Sequence, residues 1–510
     1  MKLFKTTIMT LCMSFFSSAF AGGLLTNTNQ NVTFLRNPAR DAAIGIDGVY
    51  SNPAGVIFLG EGFHLSLNIQ NAHQTRTVSS WCDLYKMGLS NNNSSFKEFE
   101  GEADVPILPS FQAAWNKGNW SFQFGFAITG GGGKCTFDHG IPTFESSIAG
   151  IAYKLNSLAL INENLGVSAY DMNAYMQGRQ YYYGFTAGAA YKVSDNLSVY
   201  GGLRLLYGSA SYKATVNNIK VKTLAGVLPF NTYLDNANNI VAGGLTAVNN
   251  GIEQVQAGIA QYESAGMPVP SELTAQLADL QQKRGALQGA EQSIDMLEPY
   301  RDGINLMCDQ TAWGVAPIIG IDYKTGNLNF AAKYEFKTRM RMKNKSTVKA
   351  TSLIPAVNKF KDGEKVAEDS PALLTIGAQY CILPSLRVMA GWHHYFDVDT
   401  KQYTKDMLGD SNEYLFGAEY DICKKLEVSA GMQRTEYDLK DAVMNDISFN
   451  VSSYSVGFGF GYKVNEKVKI NAAYFQTFYD DYNKAKDAAG VTNSFTRTNR
   501  VIGVGVDLKF

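Results

Sequence analysis

VIGVGVDLKF, residues 501–510, ends the chain. Ile502, Val504, Val506, Leu508 and Phe510 fall on one face of an extended segment, and Gly503, Gly505, Asp507 and Lys509 on the other. That is the two-residue period of a β-strand with one apolar face. A soluble sandwich rarely keeps such a pattern to its very last residue.

Working back along the chain, the same alternation recurs. Trp120, Phe122, Phe124 and Phe126 alternate with Ser121, Gln123, Gly125 and Ala127. Tyr183, Phe185, Ala187, Ala189 and Tyr191 alternate with Gly184, Thr186, Gly188 and Lys192. Trp313, Val315, Ile319 and Ile321 form a third such face, and Tyr454, Val456, Phe458, Phe460 and Tyr462 a fourth. The opposite faces are too rich in glycine for a packed two-sheet core. An apolar outer band around a polar lumen explains both faces. Lys and Arg number 45 against 46 Asp and Glu, which gives no bias toward nucleic acid. Beyond the first residues no apolar run reaches 18, so no helix crosses a bilayer. A spanning chain without such helices must close its sheet, because lipid offers an open edge no partner.

Six short turns set the strand count: Asn116–Asn119, Ser194–Asn196, Thr325–Asn327, Leu383–Ser385, Lys424–Lys425 and Asn465–Lys467. A strand on each side of every turn, plus one near Gly62–Asn71 and the terminal one, predicts a 14-stranded antiparallel transmembrane β-barrel over 62–510. The segments near Ile107–Trp115 and Leu328–Lys337 are its weakest strands. Both termini and the tight turns then lie on the periplasmic side, and the long loops outside. Those loops are expected at 72–105, 130–180 and 213–310. The third holds a helical hairpin within 223–305. Ile240, Leu245, Val248, Ile252, Val255 and Ile259 recur at helical spacing. Gly266–Pro270 breaks the helix, and Leu273, Leu277, Leu280, Leu287, Ile294 and Leu297 resume the period. Ser271 is the expected N-cap, and each helix the order of 30 Å long. Their apolar faces either pack on each other or also line an apolar access groove.

The front of the chain reads differently. Residues 1–21 have two lysines, a short apolar run and Ala19-Phe20-Ala21, which predicts a signal peptide cleaved near Ala21. Residues 22–61 form neither strand nor long helix, yet Ile44, Ile46, Val49, Tyr50 and Val56–Leu59 need burial. Asn-Pro is a turn initiator, and it occurs at Asn37-Pro38 and Asn52-Pro53. A 14-stranded barrel has a lumen that a few side chains cannot fill. The expected solution is a folded plug, a hatch inside the barrel.

The stretch RNPARDAAIGIDGVYSNPAG (36–55), placed between a signal peptide and a barrel with a helical insertion after its fifth strand, resembles the hatch signature of the outer-membrane long-chain fatty acid transporter family (FadL/TodX type). Asn52, Pro53, Ala54 and Gly55, with Asn37 and Pro38 before them, carry the likeness. The terminal Phe510 also resembles the closing residue that the barrel assembly machinery favours. The resemblance implies passive uptake of hydrophobic molecules by a monomer in the outer membrane, among lipid and lipopolysaccharide. A ligand caught by the extracellular loops would enter a pocket beside the hatch and leave sideways through a gap at a kinked third strand. Gly125, and Gly130 and Gly131 of the tetraglycine 130–133, are the gate candidates, since glycine permits bulges and bends in strands. Arg204, Lys333 and Arg387 are candidates for holding a charged head group, unless carboxylates such as Glu335 or Glu419 occupy them.

No enzyme, cofactor or metal constellation is legible. His393 and His394 are adjacent in a strand and point to opposite faces, so they cannot share a metal. Cys82, Cys135 and Cys308 map to outer loops, where one pair could bridge, while Cys381 and Cys423 are expected to be free. A receptor for haem or another hydrophobic nutrient, and a surface adhesin or structural barrel using the hairpin, are the alternative readings.

Overall fold

The structure is a computed structural model that describes residues 31–348, 358–446 and 449–510. The expected signal peptide and residues 22–30 of the leading segment lie outside the described residues.

Among the described residues eighteen strands form one antiparallel sheet closed on itself. In chain order they are β1 (Gly62–Trp81), β2 (Phe96–Lys117), β3 (Trp120–Phe137), β4 (Ala169–Lys192), β5 (Leu197–Thr223), β6 (Gly226–Pro229), β7 (Ile304–Thr325), β8 (Leu328–Glu335) and β9 (Arg341–Ser346). There follow β10 (Lys365–Ala367), β11 (Ala372–Leu383), β12 (Leu386–Phe396), β13 (Ser411–Asp421), β14 (Leu426–Glu436), β15 (Ser453–Asn465), β16 (Val468–Tyr479), β17 (Tyr482–Lys484) and β18 (Thr492–Lys509). β6 is a flap on the end of β5, and β17 one on β18. β8 and β9 are two pieces of one stave, as are β10 and β11. The wall therefore has fourteen staves. β1 and β18 close it with unbroken pairing from His64↔Lys509 to Trp81↔Thr492.

The alternation sorts as lipid requires. Phe122, Phe124, Val315, Ile319, Phe458, Ile502 and Val504 face outward and are exposed, while Ser66, Asn68, Gln112, Ser121, Gln123 and Ser198 face inward and are buried. Two aromatic rows edge the apolar band. Trp120 meets Tyr191 in a tilted contact with ring centres 4.8 Å apart, and Trp313 meets Tyr207 likewise at 4.6 Å. Tyr207 is the register partner of Tyr183. On β4 the rows are separated by the span Tyr183 to Tyr191, about 27 Å along the strand and about 20 Å along the axis of a tilted barrel. That is near the roughly 25 Å apolar band of outer-membrane barrels, and no described helix is long and apolar enough to cross a bilayer.

Three loops are shorter than the sequence suggests. β1 and β2 together run past their expected ends to Trp81 and from Phe96, β3 and β4 to Phe137 and from Ala169, and β5 and β7 to Thr223 and from Ile304. Above the lipid the backbone ladder continues although the outward face no longer has to be apolar, so the alternation fades before the strand ends. Helix α1 (Val32–Arg36) lies in the leading segment. Above the wall are α2 (Pro142–Asn156) and the hairpin of α3 (Phe230–Ser264) and α4 (Ser271–Asp295). The last two are about 52 and 37 Å long, longer than expected. Pro270, not Ser271, holds the N-cap position; Ser271 is the first helical residue and makes no cap bond. Proline's fixed φ suits the extended backbone that precedes the helix, and the first-turn amides have no side-chain cap. The hairpin's roots, Tyr233, Leu234, Leu287 and Ile294, are buried in an apolar core built from the outer loops. All five described cysteines are unbonded, and Cys82, Cys135 and Cys308 pack within that core as apolar side chains.

Candidate functional site

Residues 31–61 are enclosed by the wall, and the inward polar residues of nine strands bond to them. Asn31 donates to Gln112 Oε1 on β2 at 2.7 Å, and the Val32 amide to Asn68 Oδ1 on β1 at 3.2 Å. The two Asn-Pro-Ala turns use the same chemistry. The Asn37 side-chain oxygen accepts from the Ala39 amide (3.2 Å), and that of Asn52 from the Gly55 amide (3.2 Å). Each asparagine so closes a turn whose proline lacks a donor of its own. The second turn is tied to three staves. Asn52 Nδ2 donates to Asp322 Oδ2 (2.6 Å), Gln123 Nε2 to the Pro53 carbonyl (2.7 Å), and Ser198 Oγ to the Ala54 carbonyl (2.6 Å).

Toward β12–β16 the fastening is ionic. Arg36 meets Glu427 at 2.5 Å and donates to Ser429 Oγ at 2.9 Å. Arg40 bridges Asp47 (2.7 Å) and Glu419 (2.6 Å). Asp41 takes His393 Nε2 at 2.9 Å, while His393 Nδ1 faces Glu413 at 2.7 Å. His393 is thus a fastening point for the leading segment, and His394 turns the other way, to Asn412 Oδ1. Lumen glycines mark the track. A side chain at Gly457 would strike the Leu35 carbonyl, and one at Gly431 would lie 2.6 Å from Pro38 Cδ. Gly457 is therefore room for backbone to pass, whereas Gly461 makes room for Lys469 of the wall.

On the other side the wall itself is incomplete. β2 and β3 pair at Ala103↔Cys135 and again at Phe111↔Phe126, with no pairing between. Pro106 and Pro109 lie in this stretch of β2 and have no N–H to donate across it. Opposite them β3 slips its register against β4 twice, at Ile128/Gly130 and Gly130/Gly133. Gly131 has φ +97°, and a Cβ there would collide with the Gln180 carbonyl, so only glycine fits. The tetraglycine thus lies inside β3, which continues to Phe137, and is not the loop start suggested by its place after Thr129. Gly125 pairs regularly, and a Cβ on it would lie 3.2 Å from Val49 of the leading segment. Val105, Leu108 and Ile128 fill the gap as a small apolar cluster with Tyr181 and Tyr183 at its edge. Behind it, Val49, Tyr50, Gly125, Ala127, Thr129 and Thr186 line a cleft between the leading segment and the wall.

The three basic candidates point inward but are engaged. Arg204 Nη1 contacts both oxygens of Glu335 at 2.7 Å. Arg387 is shared by Asp421 (2.8 Å), Glu427 (3.0 Å) and Glu419 (3.4 Å). Lys333 donates to the Tyr50 carbonyl at 2.7 Å. Only Arg204 and Lys333 border the chamber between the leading segment and β8–β13. Among the described residues no cluster could hold a metal ion.

Compared with solved structures, the chain aligns over 97% of its length with all of a Pseudomonas aeruginosa FadL homologue, at a TM-score of 0.57 and 12% identity. Its fold is the FadL-type barrel. It also aligns over 91% of its length with 94% of the Pseudomonas putida toluene transporter TodX, at a TM-score of 0.50 and 15% identity. No family model matches the sequence, and no curated protein does.

Proposed function

We propose that this FadL-type barrel sits in the bacterial outer membrane and passes hydrophobic molecules of the long-chain fatty acid or hydrocarbon class passively across the outer leaflet. The solute is captured among the outer loops and moves into the cleft beside residues 31–61, which act as a hatch closing the straight path. It leaves sideways between β2 and β3. The observation that carries this reading is the unpaired stretch between Ala103/Cys135 and Phe111/Phe126, which faces the cleft and holds the apolar cluster of Val105, Leu108 and Ile128. Val105, Leu108 and Ile128 can turn aside without breaking a hydrogen bond between the two strands. Each methylene kept out of water is worth about 0.8 kcal/mol, so an apolar passage holds an acyl chain where an aqueous bore does not. The solved barrel named for toluene transport has the same architecture, which supports the reading.

The test locks the gap. In a background without the native cysteines, Leu108→Cys and Ile128→Cys are joined by a bifunctional maleimide. Uptake of radiolabelled oleate and toluene by cells carrying the locked protein should fall at least tenfold and return when a cleavable linker is cut. Undiminished uptake through the locked protein would show that solutes use another path.

A further inference from the structure

Most lumen arginines of this barrel have a carboxylate. Arg36, Arg40, Arg204 and Arg387 each form at least one ion pair. Arg76 and Arg497 do not. They are register partners across β1 and β18, at the seam that closes the ring. Both belong to the inward set, since Val78 and Phe495, two residues away on the same faces, are fully buried. Cross-strand partners stand about 5 Å apart, and like charges placed so repel.

Among the described residues neither guanidinium meets a carboxylate. Arg76 donates Nε to Gln74 Oε1 at 3.1 Å and lies 6.0 Å from the Phe449 ring centre. Arg497 donates Nη1 to the Phe449 carbonyl and to Asn450 Oδ1, and its buried Nε has no acceptor. Further neighbours are Tyr479, whose ring lies 4.9 Å from Arg497, the uncharged Cys135 and Tyr212, and Gly101, which pairs with Arg76 on β2. Gly101 is two residues before Ala103, where the pairing of β2 with β3 stops. Two cations thus face each other over an apolar floor, at the upper edge of the wall gap, with donors to spare. Holding two unneutralised charges side by side in half-buried positions is costly, and an anion between them removes that cost.

We propose that Arg76 and Arg497 form an oxyanion subsite that holds the head group of an anionic amphiphile while its tail lies toward the gap. This deepens the uptake reading and rests on it. The shared chemistry is an oxyanion on an apolar tail, whether the carboxylate of a fatty acid or the phosphate of a lipid.

The test is calorimetric titration of the full chain, purified in an uncharged maltoside detergent, with laurate, dodecyl phosphate and dodecanol. The wild type should bind at least one of the two anions at least tenfold more tightly than dodecanol, with a margin that shrinks as salt rises. The tighter of the two anions names the source. R76Q/R497Q should lose the margin and keep its dodecanol affinity, and R76K/R497K should retain part of it. Without ligand, R76Q should raise the thermal midpoint, because it removes one of two facing charges; a purely structural arginine would lower it. Should the double variant fail to fold, the wild-type margin and its salt dependence decide alone. Equal wild-type affinity for the anions and dodecanol, or a margin that survives R76Q/R497Q, overturns the subsite and leaves hydrophobic uptake standing. Failure to bind any of the three would sink the uptake reading itself.

Discussion

The two sides of the barrel treat residues 31–61 in opposite ways. From β11 to β16 the strands are short, between 11 and 13 residues, and every neighbour pairs along its length with bulges only at turn ends. That side grips residues 31–61 with a buried ionic network around Arg36, Arg40, Glu419 and Glu427. From β1 to β5 and at β7 the strands run from 18 to 27 residues, carry the helices and loop core, and hold residues 31–61 through amides such as Gln123 and Gln112. That tall side is also where the ladder is broken. One side is continuous and ionically tied, the other is broken, and neither feature is visible from the strand count alone.

The sharpest way to break the contrast is to remove an anchor from each side. Arg36→Ala removes the closest cation from Glu427, which keeps Arg387 and Lys469, and should cost about 1.5–3 kcal/mol. The urea midpoint should drop accordingly, and conductance in planar bilayers should rise as the hatch loosens. Gln123→Ala removes one neutral bond to the Pro53 carbonyl and should cost about 1 kcal/mol. Equal losses from the two variants would dissolve the distinction between an ionically tied side and a broken one.

A second substitution acts on the gap. Pro106→Val with Pro109→Val restores two backbone donors to β2. If β2 and β3 then zip together, stability should rise by about 0.5–1.5 kcal/mol per new bond, while solute uptake falls several-fold. A gain in stability with unchanged uptake would separate the gap from transport. The smallest effect concerns the loop that follows β12. Burial lifts the Asp397 carboxyl from 3.8 to about 7, and its Oδ2 accepts from the Ser411 amide. The folded loop holds that proton more tightly than the unfolded chain does. Its stability is therefore full below about pH 4 and is lost as pH rises to about 7. Amide exchange over residues 397–411 should be faster at pH 8 than at pH 5, once corrected for intrinsic rates, and Asp397→Asn should flatten the difference.

The barrel was legible because lipid writes a strict rule into each strand: outward residues must be apolar, and six short turns then fix the pairing. Above the lipid the rule lapses, so the ends of β1–β5 and β7 were out of reach. The Asn-Pro-Ala turns announced a folded leading segment, since proline and asparagine act locally. Its anchors did not, because Arg36 and Glu427 lie 391 positions apart and meet only through closure of the ring. The gap had a readable sign on β2. Pro106 and Pro109 inside a strand pattern mean missing donors, and attention to the glycines of β3 saw only half of it. Arg76 and Arg497 carried no local signal at all, because their pairing depends on the seam between the first and last strands.

The central claim is that solutes pass beside the hatch and out between β2 and β3. Crystals of the protein soaked with 1-bromododecane would locate the halogen by anomalous scattering. Bromine peaks lined by Val49, Gly125 and Thr186 and continuing toward Leu108 and Ile128 are the expected result. Peaks confined to the barrel axis on the periplasmic side of residues 31–61, with none near β2 or β3, would contradict it.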